Sequence, residues 1–501
     1  MDSFGLLMSG FETALTWENL LFCLVGVSIG MLVGILPGLG PSAGTALLIP
    51  LTFGMDPITA IVMLAGIYYG SMYGGTITTV LVNVPGEAAS VITSLDGYPM
   101  AKQGRAGVAL GLSAIGSFIG GVISIVGVTI VAPQLVKFAL AFGPPEFFAL
   151  IVFGMTMVMG LAGKSIIRGA IAVVIGLILA MVGVAPSSGV VRFSFEFPEL
   201  IDGFNFVTIA MGLFGLSEIL IGMEQQMKKP VKPPVVKGLF PTKEEWKPSL
   251  MSMGRGTGLG FFMGLIPGTS SVVPALLSYS MEKKIAKDPS RFGKGAVEGV
   301  AGPETANNSF TGGALIPLFL LGIPSSATMA VLLGAFILHG FQPGPTLFVR
   351  HPDFVWAVIA SMFIGNLLLI FMNLPMAKTW AKVAQVPFKL LFPIIIAISL
   401  VGTYSISNSL WNVGWLVVFG LLGYFFKKAD IPIAPIALMF ILGNLMEQSL
   451  LQSLTLFNGN FFGIFTRPIA GTFLVLSILV ITLSIFAGLK NKKNNLVDAE
   501  S

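Results

Sequence analysis

Charge is scarce in this chain: 10% of its 501 residues are Asp, Glu, Lys or Arg while 54% are hydrophobic. An ordinary soluble domain is about a quarter charged, so a solvated surface is excluded. Cysteine is limited to Cys23, which rules out a disulfide framework or a cysteine metal site and reads as a small apolar packing residue. The only histidines are His339 and His351. There is no H-E-x-x-H, no G-x-S-x-G, no P-loop and no nucleophile with a base in reach, so the machinery of a membrane enzyme is missing. Both histidines are expected near loops, satisfied by water or backbone. Met1 to Asn19 holds Asp2, Glu12 and Glu18 but no basic residue, unlike a signal peptide. The apolar run 20–35 is therefore expected to be retained.

What the chain has is length of apolar sequence. Runs such as 106–132, 169–185, 353–374 and 468–489 are long enough to cross a hydrocarbon core as helix. The fold class is an all-α polytopic membrane protein, with the lipid bilayer as its solvent. The net charge of +5 sits in short loops, which orients the chain by the positive-inside rule and does not call for nucleic acid.

The chain repeats itself. Gly34-Ile35-Leu36-Pro37-Gly38 recurs as Gly264-Leu265-Ile266-Pro267-Gly268, and Gly74-Gly75 as Gly312-Gly313. Asn83-Val84-Pro85-Gly86 recurs as Gly322-Ile323-Pro324-Ser325, and Phe118-Ile119-Gly120 as Phe363-Ile364-Gly365. Glu218 matches Glu447, and the second copy carries an insertion, Met281 to Lys294. The expected organisation is a first repeat over 17–225, a Pro- and Lys-rich cytoplasmic linker over 226–250 that is extended and solvated, and a second repeat over 251–465. A C-terminal transmembrane helix over 466–489 and a cytoplasmic tail over 490–501 follow. Basic loops fall at Lys102/Arg105, Lys164/Arg168 and the linker in the first half, but at Lys378/Lys382, Lys427/Lys428 and Lys490/Lys492 in the second. Their counterparts near Lys137 and Pro186 to Pro198 are nearly bare of positive charge. That exchange of sides predicts inverted-topology repeats.

Helix breakers stand at matching places in the copies. At membrane depth they are tolerated only beside protein or a water-filled cavity, and paired breaks point to a transport site where the repeats meet. Broken helices or re-entrant hairpins present free N–H groups that suit a carboxylate. The candidate substrate-binding residues are Gly38, Gly40, Pro41 and Ser42, then Asn83, Pro85 and Gly86, with Thr269, Ser270, Ser271, Pro324, Ser325 and Ser326 in the second half. Replacing Gly38 or Gly268 with valine is expected to obstruct substrate approach without preventing insertion. The cation-coupling candidates are Glu304, Asn307 and Asn308, with Gly74 and Gly75; Glu304 is a proton carrier, or Asn307 and Asn308 are sodium ligands. Gly111, Gly116, Gly120 and Gly121 read as packing residues. Glu87, Asp96 and Glu298 lie where loop ends could solvate them, and Glu218 and Glu447 also read as interhelical contacts.

At these clusters the sequence resembles the TctA family, the large transmembrane subunits of tripartite tricarboxylate transporters. The matching stretches are Pro37 to Leu51, Ala65 to Gly75, Val84 to Ser90 and Leu95 to Gly107, then Arg291 to Asn308, Gly312 to Ser326 and His339 to Pro345. The resemblance spans about Trp17 to Phe465 and departs at Leu451, where the family tends to carry an arginine shortly after the acidic residue that is Glu447 here, and at Asn444, where a proline is common. It implies a permease in a bacterial inner membrane that works with a small four-span membrane subunit and a periplasmic solute-binding protein. It further implies ion-driven uptake of citrate or a related carboxylate, and an elevator-type ion-transporter-like architecture. Homo-oligomers are compatible with it. No prosthetic group is expected; the coupling ion is sodium or a proton, and the resemblance leans to sodium. Importing a di- or trianion into an inside-negative cell opposes roughly 5 to 7 kcal/mol per 100 mV, which calls for co-transported cations. The competing readings are a membrane-embedded enzyme, weakened by the missing motifs, and an anion channel, which non-saturating flux would reveal.

Overall fold

The computed structural model describes residues 3–36, 39–161, 165–225, 236, 238–344, 346–383 and 388–500. The first half runs α1 (Ser3–Ala14), α2 (Trp17–Ile35), α3 (Gly40–Leu48), α4 (Pro57–Val82), α5 (Ser90–Lys102), α6 (Ala106–Ala139), α7 (Pro144–Leu161) and α8 (Ile166–Ala180). A small antiparallel hairpin, β1 (Gly183–Val184) and β2 (Val191–Arg192), leads to α9 (Phe206–Ala210), a π-helical turn at Met211–Leu216 and α10 (Ser217–Gln225). The second half holds α11 (Lys243–Gly264), α12 (Val272–Ile285), α13 (Glu298–Gly313), α14 (Leu315–Leu321) and α15 (Ala327–Leu338). It ends with α16 (Leu347–Arg350), α17 (Pro352–Val383), α18 (Phe388–Ser407), α19 (Leu410–Lys428), α20 (Ile433–Leu456) and α21 (Pro468–Glu500). Among the described residues, seven helices are long and apolar enough to cross a membrane.

Glycines set the closest helix pairs. On α2, Gly26, Gly30 and Gly34 lie against the carbonyls of Met63, Ile67 and Ser71 of α4, so near that a Cβ would collide with each oxygen. On α11, Gly256, Gly260 and Gly264 lie against the carbonyls of Gly302, Ala306 and Phe310 of α13 in the same way. Both partners step by four residues in both pairs, which brings backbones together along one stripe. Reading from the sequence aligns Gly74-Gly75 with Gly312-Gly313, but the packing shifts this by one. Gly74 meets the Met31 carbonyl as Gly313 meets that of Phe261, while Gly312 abuts Ser124. Gly111, Gly116, Gly120 and Gly121 also pack tightly, against Leu239, Thr305 and Asn366.

Outer helices divide their faces as membrane helices do. On α8, Ile171, Val174 and Ile178 are exposed, whereas Gly169, Ala172, Gly176 and Ala180 are buried. Gly176 rests on the Ile436 carbonyl of α20. A stripe of exposed aliphatic side chains at helical spacing is suited to lipid.

Three boundaries differ from those read in the sequence. The run 169–185 is helical only to Ala180, because Met181 ends α8 and Gly183 takes a positive φ that starts the hairpin. The interval 226–250 is not an extended linker throughout: α11 starts at Lys243, where Thr242 N–H donates to Glu245 at 2.9 Å in a capping box. Val236 is buried and Leu239 packs on Gly111 of α6; residues 226–235 and Lys237 lie outside the described residues. Finally, α21 continues past 489 to Glu500 without a break.

Candidate functional site

A layer of polar side chains joins α4, α5, α6 and α13. Glu304, 1% exposed, accepts hydrogen bonds from Thr76 at 2.7 Å, from Ser113 at 2.9 Å and from Thr93. Four residues on, Asn308 donates to Ser117 at 2.7 Å and to the Glu304 carbonyl at 3.2 Å. Glu304 and Asn308 of α13 thus face Ser113 and Ser117 of α6, two pairs at one-turn spacing on facing stripes. Asn307 donates to Glu87 Oε1 at 2.7 Å, while its Oδ1 is buried without a hydrogen-bond partner. Glu87 Oε2 accepts from Ala89 N–H at 3.3 Å, and Ser90 bridges the Glu87 carbonyl and Thr79. Among the described residues neither buried carboxylate has an ion-pair partner. Burying an ion costs several kcal/mol unless charge or hydrogen bonds compensate it, so neutral donors carry the whole compensation here.

The breaks assemble around this layer. Asn83 ends α4 in the left-handed conformation (φ 57°, ψ 33°), as Gly322 ends α14 (φ 65°, ψ 22°), each closing the preceding carbonyls in the same pattern. Pro85 leads the chain back so that Gly86 N–H donates to the Gly75 carbonyl at 3.3 Å and Gly86 lies on the Gly34 carbonyl. In the second half Ser325 donates to the Gly264 carbonyl at 2.8 Å, and the Ser325 carbonyl accepts from Ser270 N–H at 3.0 Å after Pro324. Thr269 is spent on the carbonyls of Met263 and Ile266, and Ser326 caps α15 through Met329 N–H at 3.3 Å. Gly40, the first residue of α3, and Ser270, two residues ahead of α12, share a positive φ (61° and 62°). Pro41 opens α3, and its carbonyl accepts from Thr45 at 2.8 Å. Ser271 is buried at the start of α12, and Pro37 and Gly38 lie outside the described residues.

Two coupling candidates have plainer roles. Gly74 is a helix-crossing residue, and Gly75 leaves the space filled by the Glu87 side chain, whose Cγ would stand 2.6 Å from a Cβ there. Gly268 also differs from expectation: its φ is +78° and a Cβ would stand 2.9 Å from the Val158 backbone, so valine there disturbs α7 before it reports on substrate. His339 is satisfied by a side chain, Thr52, at 2.9 Å, and His351 sits edge-on to Phe341. Asp96 Oδ1 takes three N–H bonds, from Gly293, Gly295 and Ala296, and docks the insertion on α5; Glu298 pairs with Arg291 at 2.8 Å. Thr76, Thr93, Ser113 and Ser117 were not among the sequence candidates. The one-turn spacing of Ser113 and Ser117, matched to Glu304 and Asn308, is the signal that points to two of them.

Residues 20–438 match the tripartite tricarboxylate transporter TctA family. The chain belongs to that family. As a TctA-family protein with seven such helices it is a multi-pass membrane protein and a subunit of a tripartite transporter. It is 42% identical over 494 residues to an uncharacterized 52.8 kDa protein of Agrobacterium vitis from the TAR-I ttuC' 3' region, covering 99% of this chain and 98% of that one. A second Agrobacterium vitis protein, from the TAR-II ttuC' 3' region, is 40% identical over 235 residues, 47% of this chain and 97% of its own length. No solved structure matches. Leu451, one turn after Glu447 on α20, is 39% exposed. Here Glu447 takes a bidentate ion pair from Arg192 of the hairpin at 3.0 and 2.9 Å, tying β2 to α20.

Proposed function

We propose that this TctA-family protein is the permease that imports a di- or tricarboxylate, handed over by a periplasmic binding protein, by cation symport across a bacterial inner membrane with a small four-span subunit beside it. The carrying observation is the pair of buried carboxylates, Glu304 and Glu87, held by neutral groups alone. Such carboxylates gain most from a cation that comes and goes. Hydroxyls can donate or accept, so Thr76, Thr93 and Ser113 serve Glu304 with or without a proton. An amide nitrogen only donates, so Asn307 can serve Glu87 only as an acceptor, and its own Oδ1 is left to a hard cation, which takes oxygen ligands. A proton on Glu304 and a sodium ion at Glu87 and Asn307 are thus chemically distinct routes. Asn308, engaged with Ser117 and the Glu304 carbonyl, positions α6 for either.

The matched glycine registers and left-handed caps support a duplication, and the exchanged basic loops support its inversion and an elevator-type arrangement. The full transporter in proteoliposomes, given a sodium gradient, a proton gradient or a potential, tests the coupling. Uptake should follow one of the two ions, and uptake indifferent to all three gradients contradicts it. Sodium dependence that survives Glu304→Gln but is lost in Asn307→Ala assigns the amide route.

The inversion has its own expected result. With Cys23 replaced, single cysteines at exposed Lys243 and Glu12, which stand at the starts of the second and first copies, should label from the cytoplasm and the periplasm respectively. Labelling of both from one side would rule out the inverted arrangement.

A further inference from the structure

A cavity of about 400 Å3 opens where α3 and α15 begin, beside the π-helical turn and the α19–α20 connection. Ser42 and Ala327 line it from the starts of those two helices, and Phe214, Glu218 and Lys427 line it from the π turn, α10 and α19. Its volume falls in the range of small-molecule sites, about 300 to 1,000 Å3. Lys427 is the one basic residue among the described lining residues, and it is ion-paired with Glu218, the two side chains being 23% and 30% exposed. Asp430 also lines the cavity, but its charge is met by Arg168 in a pair 43%/48% exposed, and the nearby pair Lys428–Glu224 is 48%/48% exposed.

Nothing in the packing calls for a charge pair at Lys427 and Glu218. Gly420 and Gly423 already seat α19 closely on Leu216 and on Ser217 and Leu213, and a partly buried ion pair loses in desolvation much of what it gains in attraction. The pair does keep an ammonium ready in a cavity onto which two helix starts open. Helix starts and an ammonium together suit an anion.

We propose that Lys427 receives a carboxylate of the transported anion in this cavity, in exchange for Glu218. This rests on the carboxylate-import reading above. While the cavity is empty Glu218 neutralises Lys427. A substrate carboxylate takes its place, aided by the positive end of α3 and the Ser42 hydroxyl. Lys427 can neutralise only one of the two carboxylates, so the returning Glu218 competes the substrate off and speeds release. Glu218 therefore positions and regulates Lys427, and Lys427 touches the substrate.

The test is concentration-dependent uptake by the full transporter in proteoliposomes, with citrate, malate, succinate and glutarate as probes. The probe best transported by the wild-type protein is used for the variants. Lys427→Gln should raise KM about tenfold or more, the loss of one charge-assisted contact. Lys427→Arg should stay within a few-fold. Glu218→Gln should move KM the opposite way, down about tenfold, with a lower maximal rate, because the competitor for the lysine is gone. A pair that is only structural gives Lys427→Gln and Glu218→Gln the same loss, and KM values that rise together or stay put overturn the proposal. Should Lys427→Gln fail to accumulate, the fall in KM of Glu218→Gln is still required. A wild-type transporter that takes up none of the four probes overturns the carboxylate reading itself, which separates the two failures.

Discussion

Glu304→Gln should insert and fold normally yet lose nearly all gradient-driven uptake if the proton route operates. Glutamine keeps the volume, and its amide can both accept and donate to Thr76, Thr93 and Ser113, whose hydroxyls turn to suit it. What it cannot do is bind or release a proton, so accumulation should fall to the level reached with no gradient while the melting temperature moves little. Glu304→Ala should differ in kind. It strands three buried hydroxyls, each costing about 1 to 3 kcal/mol when unsatisfied, and should melt markedly earlier. Measuring melting and uptake side by side separates a coupling role from a structural one. Normal proton-driven accumulation by Glu304→Gln would rule Glu304 out as the carrier and leave Glu87 and Asn307.

Gly34→Val and Gly264→Val should both abolish folded protein, and for the same reason. A Cβ at Gly34 would collide with the Ser71 carbonyl and stand 2.8 Å from Gly75 N; at Gly264 it would stand 2.7 Å from the Phe310 carbonyl and from Ala314 N. Backbone atoms in the middle of a helix cannot move aside as the end of a flexible side chain can. Ordinary overpacking costs about 1 to 3 kcal/mol, and these two exceed it because both partners are backbone. Gly254→Val, on the same α11 but facing open space, should be tolerated. Yield and monodispersity after purification read the outcome, and a stable Gly34→Val protein would mean that α2 and α4 do not cross as described.

The sequence carried the parts of this site that violate the rules of apolar helices. Glu304, Asn307 and Asn308 stand out because nothing apolar surrounds them for free, and Pro85 and Pro324 because a helix cannot continue through them. The sequence showed a break at Asn83 and at Gly322 but not the left-handed cap that ends the helix at each, since neither residue demands that conformation. Thr76, Thr93 and Ser113 were not legible, because a hydroxyl in a membrane helix can satisfy itself on its own backbone, as Thr79 does on Gly75. Only the crossing of four helices decides that these hydroxyls meet one carboxylate. Lys427 was misleading in a different way. As half of Lys427-Lys428 at a loop it obeys the positive-inside rule, and one residue of helical rotation separates the exposed Lys428 from the lysine turned inward to Glu218. Residues 226–250 read as solvated linker because proline and lysine are frequent across that interval. Leu239 and the Thr242 cap depend on contacts with α6 and on a local box that composition does not register.

The sign of the charge moved with each substrate tests cation symport most directly. The membrane potential itself drives carboxylate import only if more cations enter than the substrate has negative charges. The reversal potential of substrate flux should therefore be measured in proteoliposomes holding the full transporter, with the substrate and cation gradients fixed. Net positive charge entering with each carboxylate is the result predicted here. Net negative charge entering, unaffected by sodium and by protons, would contradict it.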